Sequence, residues 1–95
     1  MTAHWTRTEV LRLLDLTEEE LIELERAELV RRGPEGTYDA VQVERLRIYR
    51  SLHHDLGVNL EGVEVALHLI ERLQAERRQF LEALRWLAEE MRRRG

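Results

Sequence analysis

The sequence predicts a mainly α fold: a winged helix-turn-helix domain with a small β-hairpin wing, followed by a long C-terminal dimerisation helix. Three observations carry this. Four capping residues, Thr6, Thr17, Asp39 and Asn59, are each bracketed by an apolar pair at the positions of a hydrophobic staple. Only Asp15, Leu16 and Thr17 separate the first predicted helix from the second, the short connection of a helix-turn-helix. Apolar residues then recur at spacings of three and four as far as Met91. Ninety-five residues make one small domain, near the size at which association helps stability. Residues 1–58 are assigned to the winged domain, and residues 59–95 to the long helix that packs on it and dimerises.

The first helix, about Arg7 to Leu14, starts at Thr6, with Glu9 as the reciprocal acid and Trp5 and Val10 as the staple. The second starts at Thr17, with Glu20 three residues on and Leu16 and Leu21 as the staple. After it, Gly33, Pro34, Glu35 and Gly36 form a turn between two short extended runs, which predicts the wing. The third helix, about Ala40 to Asp55, is capped by Asp39 with Gln42 and stapled by Tyr38 and Val43. It turns Val43, Leu46, Tyr49, Leu52 and Leu56 inward and closes at Gly57. The fourth runs from Leu60 to about Arg92 behind Asn59, with Val58 and Val63 as its staple. Val63, Ala66, Ile70, Leu73, Phe80, Leu84, Leu87 and Met91 form a heptad seam along it that only Arg77 interrupts. Beyond about Ala75 the domain has nothing left to cover that seam. A homodimer is therefore expected through Ile70, Leu73, Arg77, Phe80, Leu84, Leu87 and Met91, with Trp86 packing off the seam across the dimer. The competing reading is a helix that folds back or frays.

Charge narrows the function. Residues 1–56 hold eight Arg against twelve acids, whereas residues 57–95 hold seven of each, so the excess acid lies wholly in the first half. A compact DNA-reading module normally shows the opposite sign, because neutralising phosphates supplies most of its affinity. The stretch TEEELIELE, Thr17 to Glu25, is where a helix-turn-helix protein would place its recognition helix, yet five of its nine residues are glutamate. Around that helix Leu21, Leu24 and Ala27 share the core-facing arc, and Glu18, Glu19, Ile22, Glu23 and Arg26 share the opposite one. Acids in a first turn favour the helix dipole, but Glu23 lies beyond that turn.

Three blocks carry a family resemblance: Thr17 to Leu24 (TEEELIEL), the pair Tyr38-Asp39, and above all Leu52 to Leu73 (LHHDLGVNLEGVEVALHLIERL). The order of elements resembles MerR-like winged-helix regulators. Across nearly the whole chain the sequence is similar to the chaperone modulator CbpM family, MerR-like proteins found beside DnaJ-type co-chaperones such as CbpA. Family members often carry Trp-Pro where this chain has Leu60-Glu61, a difference confined to a helix start that Pro would equally favour. The resemblance implies direct binding to the J domain of a DnaJ/CbpA-type co-chaperone, inhibition of its engagement with a DnaK-type chaperone, and no catalysis. The contact residues expected are Glu18, Glu19, Ile22 and Glu23, with Asp55, Glu61 and Glu64 as a second acidic patch.

The alternative is a MerR-like DNA-binding transcriptional regulator. Arg31 and Arg32 open the wing, and Arg45, Arg47 and Arg50 lie on the third helix, where phosphate contacts are made in such folds. Their other reading is ion pairing with Glu44 or Asp55. Cysteine chemistry is excluded, since the chain has no cysteine. His53 and His54 are adjacent and diverge on a helix, and His4 and His68 lack partners at metal-ligand spacing, so no metal and no cofactor is expected. No phosphate loop, nucleophile elbow or carboxylate pair marks an enzyme. The first residues do not read as a signal peptide, and the protein is expected in the cytoplasm.

Overall fold

The computed structural model describes residues 3–95. Its elements are β1 (His4–Trp5), α1 (Arg7–Leu14), α2 (Glu18–Arg26), β2 (Tyr38–Asp39), α3 (Ala40–Arg50) and α4 (Leu60–Arg94), with a short 3₁₀ turn at Pro34–Gly36 and a π turn at Ser51–Asp55. All four predicted helix starts are present, each with the capping side chain that predicted it. Thr6 and Thr17 close reciprocal boxes with Glu9 and Glu20. Asp39 accepts from the Gln42 N–H at 3.0 Å and Asn59 from the Gly62 N–H at 2.8 Å. The Gln42 side chain reaches elsewhere, accepting the Arg31 N–H at 2.9 Å and so tying the wing to α3.

The core is one cluster drawn from every helix. Val10, Leu14, Leu16, Leu21, Leu24, Leu29, Val30, Tyr38, Val43, Leu46, Tyr49, Val63 and Leu67 are all buried. Each fully buried Leu among them contributes roughly 1.5–3 kcal/mol over the exposed state. Between α1 and α2 the chain turns through Asp15 in the left-handed region at φ 53°, and a second such residue, Glu28 at φ 61°, ends α2. There the Leu29 N–H returns to the Leu24 carbonyl at 3.0 Å, the long bond of a helix-ending turn.

Three expectations need correcting. The small two-stranded antiparallel unit is present, but Tyr38–Asp39 pairs with His4–Trp5, not with the run before the turn. The segment around Gly33 is instead closed on itself, its N–H donating to the Thr37 carbonyl at 2.7 Å. Leu29 and Val30, in the run before the turn, sink into the core, and that leaves the edge of β2 to the N-terminus. Leu56, expected inward, is 71 % exposed, because the π turn inserts a residue and Gly57 reverses the chain at φ 70°. Val63 lies in this chain's own core together with Leu67, so the seam left open on α4 begins at Ala66.

α4 leaves the domain behind. Its 35 residues give the molecule a long axis of 59 Å against 32 and 20 Å across. Past Ala75 no apolar side chain of α4 is buried: Phe80 is 63 % exposed and Trp86 64 %, with Leu81, Leu84, Leu87 and Met91 also open. No described helix is long and apolar enough to cross a membrane.

Candidate interaction surface

The five glutamates of α2 and its approach divide into two sets. Glu25 faces inward: its carboxylate accepts from Arg7 Nη1 at 3.1 Å and from the Tyr38 hydroxyl at 3.0 Å, and it pairs with Arg32 Nε at 3.1 Å. It therefore joins α1, α2, β2 and the wing at one point. Glu18 pairs with Arg7 Nε at 3.1 Å from the other side. The bond to Glu25 is the main reason the Arg7 guanidinium is held still more firmly in its charged form. Burial, and then the Glu25 carboxylate, push the Tyr38 hydroxyl above its ordinary range.

Glu20 anchors the opposite edge of α2. It closes the box with the Thr17 N–H, and its second oxygen accepts from the Tyr49 hydroxyl at 2.8 Å and meets His54 Nε2 at 2.6 Å. Partial burial works against its charge, but the bonds from His54, Tyr49 and the Thr17 N–H prevail and lower its pKa from 4.5 to about 2. The π turn makes this cluster, since winding i to i+5 carries His54 beneath Tyr49. His53 stacks on the same ring at 5.2 Å and uses Nδ1 on the Val58 carbonyl at 2.8 Å. Tyr49, losing water and donating to Glu20, has its hydroxyl pKa raised.

What remains on the outside of α2 is a single stripe at helical spacing: Glu19, Ile22, Glu23 and Arg26. Glu19 and Glu23 have no ion-pair partner among the described residues, and Ile22 is 40 % exposed between them. Of the expected contact set, then, Glu19, Ile22 and Glu23 lie together and open, whereas Glu18 is exposed but tied to Arg7. Asp55 is exposed one residue from His54, which touches Glu20, so the end of the π turn borders α2. Glu61 and Glu64 are exposed on the first turns of α4, with no recorded bond linking them to α2.

The candidate phosphate-binding arginines fare differently from one another. Arg45 donates Nε to the Leu29 carbonyl at 2.6 Å and pairs with Glu71, Arg47 pairs with Glu44 at 3.4 Å, and Arg32 pairs with Glu25. Among the described residues Arg50 Nε is buried without a partner, and the side chain of Arg31, exposed on the wing, bonds to none of them. Among the described residues no three His, Asp or Glu side chains converge as metal ligands. Of the two acidic anchors, sequence reasoning finds Glu20 only as a capping acid, and does not single out Glu25. The signal that could have found them is stoichiometric: Tyr38 and Tyr49 occupy core positions, and a buried hydroxyl needs a partner.

Compared with known proteins, residues 5–85 match the model of the MerR HTH family regulatory protein. No curated protein and no solved structure matches the chain.

Proposed function

We propose that this chain, which belongs to the MerR HTH family of regulatory proteins, acts as a chaperone modulator: it binds the J domain of a DnaJ/CbpA-type co-chaperone and blocks engagement of a DnaK-type chaperone. The observation that carries the reading is the outward stripe of α2. Glu19 and Glu23 flank a half-open Ile22 on the helix that a DNA-reading relative would put against phosphates. A J domain is expected to present a basic helix beside its His-Pro-Asp loop, and an acidic stripe with an apolar centre complements such a helix in charge. Asp55 extends the patch from the π turn, and Glu61 and Glu64 are its outer candidates. The proposal includes a homodimer through the exposed seam from Ile70 to Met91, which leaves one α2 stripe on each protomer. It involves no catalytic step and no cofactor.

The second reading, a DNA-binding transcriptional regulator, draws support from Arg31 on the wing. It is weakened by the neutralisation of Arg32, Arg45 and Arg47 by Glu25, Glu71 and Glu44. The experiment is a titration of wild type, a Glu19→Arg, Glu23→Arg variant and an Arg31→Ala, Arg32→Ala variant against a purified J domain and a random duplex. The charge-reversed stripe should bind the J domain at least about tenfold more weakly, and wild-type binding should weaken with salt over a Debye length of about 8 Å. Tight duplex binding by wild type at physiological salt, with no J-domain response, sinks the modulator reading.

A further inference from the structure

The π turn carries Leu56 to the surface and fixes it there. Four residues after the half-buried Leu52, this side chain would point inward on a regular helix. It is instead the most exposed of the large apolar side chains described, at 71 %. The segment that holds it is well tied. The Val58 N–H donates to the Leu52 carbonyl at 2.8 Å, His53 Nδ1 meets the Val58 carbonyl at 2.8 Å, and His54 Nε2 meets Glu20 on α2 at 2.6 Å. An apolar side chain held in water by such tethers loses little further freedom when a partner covers it.

The bond to Glu20 decides which surface Leu56 joins. At 100° per residue, the order around α2 from the side that meets the π turn is Glu20, Glu23, Glu19, Arg26 and then Ile22. Glu23 also stands close enough to Tyr49, beside the turn, to add to the rise in its hydroxyl pKa that burial and Glu20 cause. The open acids of α2 therefore lie between two exposed apolar residues, Ile22 on one side and Leu56 on the other, with Asp55 next to the second. The gap between the two is about the width of α2, ~10–12 Å.

We infer that the π turn is the second half of the docking surface, where Leu56 and Ile22 are paired anchors for one partner helix bearing aliphatic residues two turns apart and Lys or Arg between them. The inference rests on the co-chaperone reading and names the face of the J domain that fits it. Two helical turns advance about 10.8 Å, which matches the gap across α2, and a residue on the intervening turn falls over Glu19 and Glu23. Charge selects such a helix over a second copy of this chain. Two of these faces brought together would set Glu19, Glu23 and Asp55 against their own counterparts.

The test is titration of a purified J domain with wild type, Leu56→Ala and Leu13→Ala. Leu13 is a comparable exposed leucine, 62 % open on α1 and outside the proposed surface. Because both sites are exposed, both variants should melt like wild type. Leu56→Ala should weaken binding at least about fivefold, the loss of about 1 kcal/mol that marks an anchor, and Leu13→Ala should leave it unchanged. Wild-type affinity in Leu56→Ala, with binding still weakened by Glu19→Arg and Glu23→Arg together, overturns this inference and leaves the modulator reading standing. Equal losses from Leu56→Ala and Leu13→Ala also overturn it. No J-domain response from wild type overturns both.

Discussion

Replacing Glu20 by Gln keeps the shape of the side chain and removes its charge, so it isolates what the carboxylate does for α2. The folded protein holds this carboxyl at about 2 against an ordinary 4.5. That difference corresponds to about 3 kcal/mol of stability at neutral pH, one pH unit being worth about 1.4 kcal/mol. The side chain keeps 19 % of its accessibility, so solvent screening brings the expectation nearer to 2 kcal/mol. For a domain of this size that is a fall in melting temperature of roughly 8–16 °C. Because the folded-state value is depressed, the contribution is fully present above about pH 4.5 and drains away as pH falls toward 2. At pH 3 roughly 40 % of it should survive. Urea unfolding of wild type and Glu20→Gln at pH 7, 5, 4 and 3, followed by helical circular dichroism, reads this directly. The gap should be constant from pH 7 to 5 and then narrow. Two curves that stay parallel down to pH 3 would refute the assignment of Glu20 as a charged anchor for Tyr49 and His54.

Glu25→Gln should cost about 1–2 kcal/mol, since it weakens charge-assisted bonds to Arg7 and Arg32 while the tyrosine bond can persist. Amide exchange in β1 and in residues 31–37 should quicken more than in α4, and uniform quickening would show that Glu25 does not join those segments. Glu28→Gly should raise the urea midpoint, by up to about 1 kcal/mol in stability. The gain from a left-handed position without a Cβ, about 1–2 kcal/mol, exceeds the added freedom of glycine in the unfolded chain, about 0.5–1 kcal/mol. A lowered midpoint contradicts the strain assigned to that residue.

The helix starts were legible in the sequence because capping and stapling are local: Thr17 needs only Leu16, Glu20 and Leu21 to declare itself. The pairing of β2 was not, because its partner at His4 and Trp5 is separated from it by two helices, and a turn-rich segment beside an extended pair reads naturally as a hairpin. The open arc of α2 followed from 100° periodicity, yet periodicity cannot separate Glu18 from Glu19, since what distinguishes them is Arg7 on another helix. Leu67 was passed over for a related reason. A helix that serves two neighbours carries two overlapping apolar patterns, and following the one through Ala66 hides the one through Val63 and Leu67.

The division of labour within α2 also makes it a replaceable letter in a fixed word. Capping, core packing and cross-links to α1, α3 and the wing are discharged by Thr17, Glu18, Glu20, Leu21, Leu24 and Glu25. Positions 19, 22, 23 and 26 are thereby released from any duty to the fold and can be rewritten together. A library randomised at those four sites on an otherwise unchanged chain would explore partner preference at nearly constant stability, and a lineage drifting from one partner to another could do so without passing through an unfolded ancestor.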